Sequence, residues 1–120
     1  MNTSILNILT AAELPEGFAY PPEFLRVAQI GITNLEPWSI LQGDGLRRSL
    51  NGLQERFPAR KLVPFAARQD NDDVACWELS QGQKIFVIHD FASPGWEKRG
   101  EFPNFWDWFR SAIEDFIAWE

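Results

Sequence analysis

The sequence predicts a single α+β domain over residues 1–120. Three observations carry this prediction: apolar residues recur at helical spacing in the first half, strand-like runs follow Lys61, and the final stretch is an amphipathic helix. Helices, then adjacent strands, then a closing helix is the order of an α+β fold, whereas an α/β fold alternates the two. A chain of 120 residues fits one domain, since domains cluster at about 100–150 residues.

The apolar spacing predicts three helices before Lys61. Thr3 or Ser4 caps the first helix, Pro21 and Pro22 suit the opening turn of the second, and Pro58 ends the third. Residues 33–41 give no clear assignment. The apolar residues of the three helices are, in chain order, Ile5, Ile8, Leu9 and Ala12; Phe24, Val27 and Ala28; and Leu46, Leu50, Leu53 and Phe57.

Runs of β-branched and aromatic residues predict three strands at Leu62–Arg68, Val74–Leu79 and Lys84–Asp90. Short polar segments join them, so we expect an antiparallel meander. Residues 91–101 predict a long loop. The last stretch predicts a helix whose apolar face covers the sheet, and that face consists of Phe105, Trp106, Phe109, Ala112, Ile113, Phe116 and Ile117.

A trial register sharpens the prediction for the sheet. If Arg68 pairs with Val74 and Leu79 pairs with Lys84, one face is wholly apolar, as a core face should be. That face holds Val63, Phe65, Ala67, Ala75, Trp77, Leu79, Phe86 and Ile88. The other face is mixed, so we expect it to be half-covered or functional. It holds Pro64, Ala66, Arg68, Val74, Cys76, Glu78, Ile85, Val87 and His89.

The same register gathers carboxylates at one end of the sheet. Asp73 lies opposite Asp90, Asp70 and Asp72 occupy the adjoining loop, and Glu97 follows further along the chain. Like charges directly opposite each other destabilise a strand pair. Three interpretations stay open: ordinary turn chemistry, a surface for a basic protein, or a cation site. The hairpin lacks the loop length, glycine and terminal glutamate of an EF-hand.

Cys76, His89 and Asp90 suggest a nucleophile with its base and acid, but the register keeps Cys76 and His89 at diagonal positions, about 7–8 Å apart. We therefore expect Cys76 to be a small buried residue and predict no catalytic residue, no metal site and no cofactor. No phosphate-binding glycine motif is present. The basic residues Arg47, Arg48, Arg56, Arg60 and Lys61 are interpreted as the solvated side of an amphipathic helix.

Composition narrows the function classes. Eleven Lys and Arg stand against seventeen Asp and Glu, a net charge of -6, which disfavours nucleic acid and suits a basic protein partner. One cysteine fits a reducing compartment. The start lacks a secretory signal and no apolar run approaches the roughly 20 residues of a membrane span, so we expect a soluble cytoplasmic protein. Six Trp are more than a core of this size needs, so some of the Trp are expected at an interface.

Four segments in the later part of the chain form a recognisable pattern. They are Pro37-Trp38, a proline-aromatic strand at 62–66 followed by Arg68 and Asp70, the Asp-rich segment Asp72–Trp77, and Ile85–Asp90 followed by Phe105 and the Trp-rich closing helix. With this pattern the chain resembles the SUKH superfamily, which includes bacterial immunity proteins and fungal regulators of cell-wall synthesis.

The resemblance implies a helix-flanked antiparallel sheet without enzymatic activity. For the bacterial relatives it implies direct binding of a cognate toxin, often a nuclease or deaminase. Two alternatives stay open: an intracellular regulatory or scaffold protein, and a small hydrolase using His89 with an adjacent carboxylate. The candidate partner-binding residues are Asp70, Asp72, Asp73, Asp90, Trp96 and Glu97, with Trp38 as a weaker candidate.

Overall fold

The computed structural model describes residues 7–119 and confirms the α+β class. Within that range the helices are α1 (Pro22–Gln29), α2 (Gly43–Arg56) and α3 (Phe105–Ala118). The strands are β1 (Asn34–Leu35), β2 (Trp38–Ile40), β3 (Leu62–Arg68), β4 (Asp73–Glu78), β5 (Ile85–His89) and β6 (Lys98–Phe102). None of the helices within residues 7–119 combines the length and apolar character that a membrane span requires.

The strands form one sheet in the order β1-β2-β3-β4-β5-β6, and every neighbouring pair is antiparallel. β3, β4 and β5 begin and end within one residue of the predicted strands. β1 and β2 are too short to give a periodic signal. The prediction of a loop over residues 91–101 is wrong from residue 98 onward, because β6 is an edge strand whose charged residues hide the strand pattern.

The first predicted helix is wrong over residues 7–14, while Thr3, Ser4 and Ile5 lie outside the described residues. The chain makes a single turn there, closed by bonds from the Glu13 and Leu14 N–H groups to the Thr10 carbonyl at 2.9 and 3.0 Å. Arg47 of α2 donates to the Ile8 carbonyl at 3.1 Å, which a helix would need for its own ladder. A tertiary contact therefore overrides the local helical pattern.

The observed register differs from the trial register by one residue in each hairpin. Val74 pairs with Ala67 rather than Arg68, and Asp73 pairs with His89 rather than Asp90. Beyond a bulge between Pro64 and Ala66 the first hairpin shifts by one further residue, so Cys76 pairs with Pro64, a proline that has no N–H for the ladder. The second pairing shifts because residues 79–84 lie between the strands, so Leu79 and Lys84 are not paired.

The shift changes which side chains share a face, because side chains alternate along a strand. Phe86 and Ile88 lie with Cys76 against Leu53 and Phe57, on the α2 side of the sheet. The prediction that they share the face of Trp77 is wrong. The predicted mixed face is also wrong, since Leu53 of α2 and Phe57 pack on it, while α1 and α3 pack in the cluster of the other face, which Leu46 and Leu50 of α2 also join.

Aromatic rings fill the core on the α3 side. Phe65 of β3 and Trp77 of β4 lie 4.4 Å apart between ring centroids. Phe24 of α1 meets Trp77 edge-on at 5.2 Å, and Trp108 of α3 meets Phe65 edge-on at 4.8 Å. These geometries are favourable for aromatic pairs, and they join both helices to the two central strands.

The final helix packs on the sheet as predicted, but through a different stripe. Asn104 caps its start by accepting a bond from the Asp107 N–H at 2.9 Å. Phe105, Trp108 and Ala112 are buried, whereas the predicted core residues Phe116 and Ile117 are exposed. Trp106, Phe109 and Ile113 are partly buried beside them. The helix therefore meets the sheet mainly through its first half.

This burial predicts unequal costs for two aromatic truncations in α3. Trp108→Ala should lower the free energy of unfolding by about 3–5 kcal/mol, the usual cost of removing a buried aromatic side chain. Phe116→Ala should cost much less, because nearly half of that side chain already contacts water. Urea denaturation of both variants measures the difference, and equal losses would contradict the assigned stripe.

The ion pair between Glu13 and Arg47 predicts a pH-dependent stabilisation. A hydrogen bond from Arg47 lowers the pKa of Glu13 from 4.5 to about 2. The folded-state pKa lies below the unfolded one, so the pair stabilises the fold above about pH 4.5 and loses its effect as the pH falls toward 2. The melting-temperature difference between wild type and Glu13→Gln should therefore be largest near neutral pH and vanish near pH 2. A pH-independent difference would exclude this role.

Candidate functional site

The predicted acidic residues do lie at one end of the sheet. The Asp90 N–H donates to the Asp72 carbonyl at 3.0 Å, which joins the β3–β4 hairpin to the chain leaving β5. The proposed opposition of Asp73 and Asp90 is wrong, because the partner of Asp73 in the ladder is His89. The His89 Nδ1 atom lies 3.5 Å from the Asp73 carboxylate. Asp73 therefore does not face the like charge of Asp90 across the ladder, as the trial register had it, but the side chain of His89.

Arginines neutralise most of these carboxylates. Asp73, Asp90 and Glu97 are all buried, and a buried carboxylate is stable only when it is paired. Among residues 7–119, Asp72 is the one member of the predicted acidic set without an ion pair. The pairs are Arg56–Asp90 at 2.6 Å, Arg60–Glu97 at 2.9 Å, Arg68–Asp70 at 2.9 Å and Arg99–Asp73 at 3.2 Å.

These arginines have a structural role that is not visible in the local sequence pattern. Arg47, Arg56 and Arg60 were assigned to a solvated helix side, yet each holds a carboxylate from a distant segment. Arg56 binds Asp90 across 34 positions of sequence, so no local pattern reports the pair. The interpretation of this basic stretch as solvated is therefore wrong for these three residues.

The ion pairs keep two of the carboxylates ionised. The Arg68 guanidinium lowers the pKa of Asp70. Burial acts to raise the pKa of Glu97, but hydrogen bonds from the backbone and from Arg60 outweigh it and hold that pKa below its usual value. Asp70 and Glu97 therefore stay ionised at neutral pH, and arginines of the same chain neutralise much of their charge.

The loop of residues 91–97, here called the aromatic loop, is the most distinctive surface at this end. Trp96 is 82% exposed and Phe91 is 63% exposed. The Arg56 guanidinium lies 4.3 Å from the centroid of the Phe91 ring, a cation–π contact. Phe91 is absent from the predicted site residues, whereas Trp96 of the same loop is among them.

Hydrogen bonds hold the aromatic loop in one conformation. The Trp96 N–H donates to the Ser93 carbonyl at 2.9 Å, and the Gly95 N–H donates to Glu97 Oε1 at 2.6 Å. The His89 N–H donates to the Glu97 carbonyl at 2.7 Å, where the loop returns to the sheet. Gly95 has a φ of 97°, a left-handed conformation that favours glycine. The indole of Trp96 is therefore presented by a tied loop.

Three cavities flank this end of the sheet, and one of about 220 Å³ is lined by Asp72, Asp73 and Asp90. A small apolar one of about 290 Å³ lies under the aromatic loop and includes Phe57, Pro58 and Pro94 in its lining. A larger cleft of about 570 Å³ lies between β6 and α3, and Arg68 and Asp115 line it. Four charged groups of the larger cleft are paired with one another, since Arg68 binds Asp115 at 3.1 Å and Arg99 binds Asp73.

Trp38, the weaker aromatic candidate, belongs to the core. It is buried against Trp108 with ring centroids 5.5 Å apart, and its indole N–H donates to Asp115 Oδ2 at 3.1 Å. Its polar group is therefore satisfied within the molecule. The two indoles that the sequence offered as contacts differ completely in exposure, and only Trp96 is available to a partner.

Cys76, His89 and Asp90 do not form a catalytic group. Cys76 is fully buried and pairs with Phe86, three positions along the ladder from the Asp73–His89 pair. Burial raises the pKa of the Cys76 thiol, which disfavours the reactive thiolate. Asp90 is occupied by Arg56. Within residues 7–119, no three His, Cys, Asp or Glu side chains are placed to hold a metal ion together.

Comparisons with known protein families, with curated proteins and with solved structures found no match to this chain.

The burial of Cys76 predicts an inert thiol. Native protein should react with a thiol reagent such as iodoacetamide at least roughly a hundredfold more slowly than protein unfolded in urea, because modification requires the fold to open. Mass spectrometry of time points measures both rates. Rapid modification of native Cys76 at neutral pH would show an accessible thiolate and reopen the catalytic interpretation.

Proposed function

We propose that this chain is a non-catalytic protein-binding domain that recognises a basic partner protein through the aromatic loop. The observation that carries the proposal is the exposed indole of Trp96 on a loop tied by hydrogen bonds and ion pairs. Tryptophan is enriched among the residues that dominate binding energy at protein interfaces. A side chain on a pre-organised loop also loses less conformational entropy when a partner binds.

The ion pairs divide the predicted site into two roles. Three of these residues, Asp73, Asp90 and Glu97, are buried and paired. We assign them a structural role, which is to hold the aromatic loop and the hairpin in place. Direct contact is assigned to Trp96, to Phe91 and to the exposed Asp72. Disruption of the Arg60–Glu97 pair would then impair binding through loss of loop geometry.

The charge of the chain favours a basic partner. The net charge is -6, and a field of that sign attracts a basic surface over several ångströms and speeds association. Asp72 adds an unpaired negative charge at the end of the sheet that carries the loop. The aromatic side chains would then contribute most of the binding free energy. The negative charge would mainly increase the rate of association.

Within this class we further propose an immunity protein that neutralises a toxin of the nuclease type in the cytoplasm. Two points support it. The helix-flanked antiparallel sheet agrees with the architecture that the SUKH resemblance implies. A nuclease presents a basic surface for its substrate, and an acidic protein can occupy that surface in place of phosphates. The low cysteine content agrees with a reducing compartment.

Co-expression with the product of the neighbouring gene tests the proposal. If that product is the toxin, the wild-type chain should restore growth and bind it, and the association rate should fall as salt is raised. Trp96→Ala should weaken binding by roughly thirtyfold, since a hot-spot residue contributes about 2 kcal/mol or more. Ile30→Ala removes another largely exposed apolar side chain, 67% against 82% for Trp96, outside the loop and should change affinity by less than about twofold.

Two outcomes would change the proposal. Binding without protection from toxicity would favour a regulatory or scaffold role over immunity. Equal affinity of Trp96→Ala and wild type, with both proteins folded by circular dichroism, would remove the aromatic loop from the interface.

A further inference from the structure

The C-terminal end of α3 presents apolar side chains that the fold does not cover. Ile117 is 69% exposed, Phe116 is 48% exposed and Trp119 is 37% exposed. These three residues, here called the α3-end patch, follow directly after the half of the helix that packs on the sheet. Isolated exposed apolar residues are ordinary on a protein surface, but three in four consecutive positions are typical of an interaction surface.

Carboxylates lie on the last turns of α3 and on segments that contact this helix. Glu114 is exposed, and Asp115 shares the guanidinium of Arg68 with Asp70, at 3.1 and 2.9 Å. Glu36 stands in the β1–β2 turn, two residues from the Trp38 indole that binds Asp115. Within residues 7–119, these four carboxylates outnumber the two arginines nearest to them, Arg68 and Arg110, and Arg110 lies one turn before Glu114 and pairs with Asp107.

The helix itself adds to the negative potential. The last turn of α3 contains no basic residue, so the helix itself supplies no cation to the carbonyl groups at its C-terminus. A helix C-terminus is stabilised by nearby positive charge. Apolar surface, surplus carboxylates and the negative end of a helix thus coincide at one place.

We propose that the α3-end patch binds a basic amphipathic segment of a partner protein, with the apolar side of that segment on Phe116, Ile117 and Trp119. Charge complementarity selects this occupant. A second copy of the chain, docked symmetrically, would bring two acidic rims together, which is unfavourable. An anionic membrane would repel the same carboxylates.

This surface differs from the aromatic loop, so the inference goes beyond the proposed function. The aromatic loop packs beside the segment that follows α2, whereas α3 lies on the opposite face of the sheet. A synthetic probe can therefore test the α3-end patch without the natural partner, and failure here would leave the Trp96 experiment unaffected.

The probe is a fluorescent peptide of leucine and lysine whose leucines recur at helical spacing. Its binding to wild type is measured by anisotropy at low and high salt. A scrambled peptide of the same composition controls for simple charge attraction, and a peptide with glutamate in place of lysine controls for apolar attraction alone. We expect the lysine peptide to bind at least roughly tenfold more tightly than either control.

Matched variants locate the binding. Glu114→Lys should weaken binding by roughly tenfold at low salt. Glu55→Lys makes the same change of charge on α2, away from the α3-end patch, and should change binding by less than about twofold. Ile117→Ser should weaken binding by roughly tenfold through lost apolar burial. Both Ile117 and Glu114 are exposed, so these variants should keep the wild-type melting temperature.

Several results would overturn the inference. Equal binding of the lysine and scrambled peptides, or equal effects of Glu114→Lys and Glu55→Lys, would show non-specific attraction to an acidic protein. Tight binding of the glutamate peptide would refute charge complementarity. Self-association in sedimentation that Ile117→Ser abolishes would identify a second copy as the occupant instead, and binding of wild type to anionic vesicles would identify a membrane.

Discussion

The contact between Phe65 and Trp77 is the interaction on which the remaining structure depends. The two rings come from neighbouring strands, lie 4.4 Å apart and are fully buried. Phe24 of α1 and Phe105 of α3 both pack against this pair. Both helices can dock only when β3 and β4 hold the register that brings the rings together. Sheet pairing and helix docking are therefore coupled through one aromatic cluster.

The buried carboxylates impose a second constraint, which is electrostatic. Asp73, Asp90 and Glu97 lie where water reaches them poorly, and an unpaired charge there would cost several kcal/mol. Arginines from α2, from the segment after it and from β6 meet that need. The result is an end of the sheet that is rich in acidic residues yet largely neutralised, and whose loops are tied by charge-assisted hydrogen bonds.

Because the buried acids are paired with arginines, the surplus negative charge of the protein lies on other residues. Unpaired or under-compensated carboxylates remain at Asp72, at Glu36 and along the end of α3. The exposed aromatic and aliphatic side chains stand beside the same regions, on the aromatic loop and on the α3-end patch. Apolar surface and uncompensated charge together are the combination that a basic protein partner recognises.

Local pattern in the sequence determined the class of fold, the central strands and the helices α1, α2 and α3, because periodicity depends on near neighbours. Only the tertiary structure decided the register: a shift of one residue between β4 and β5 moved Phe86 to the opposite face, and the bulge at Pro64 added an offset between β3 and β4.

The candidate site divides in the same way. The acidic cluster and Trp96 can be identified from residue types alone. Glu97 pairs with Arg60 across 37 positions of sequence, so neither its pairing nor its burial can be predicted from local pattern. Trp38 and Trp96 present the same indole, yet one is enclosed by α3 and the other meets water. Only tertiary packing separates them, since exposure depends on which distant segments cover a side chain.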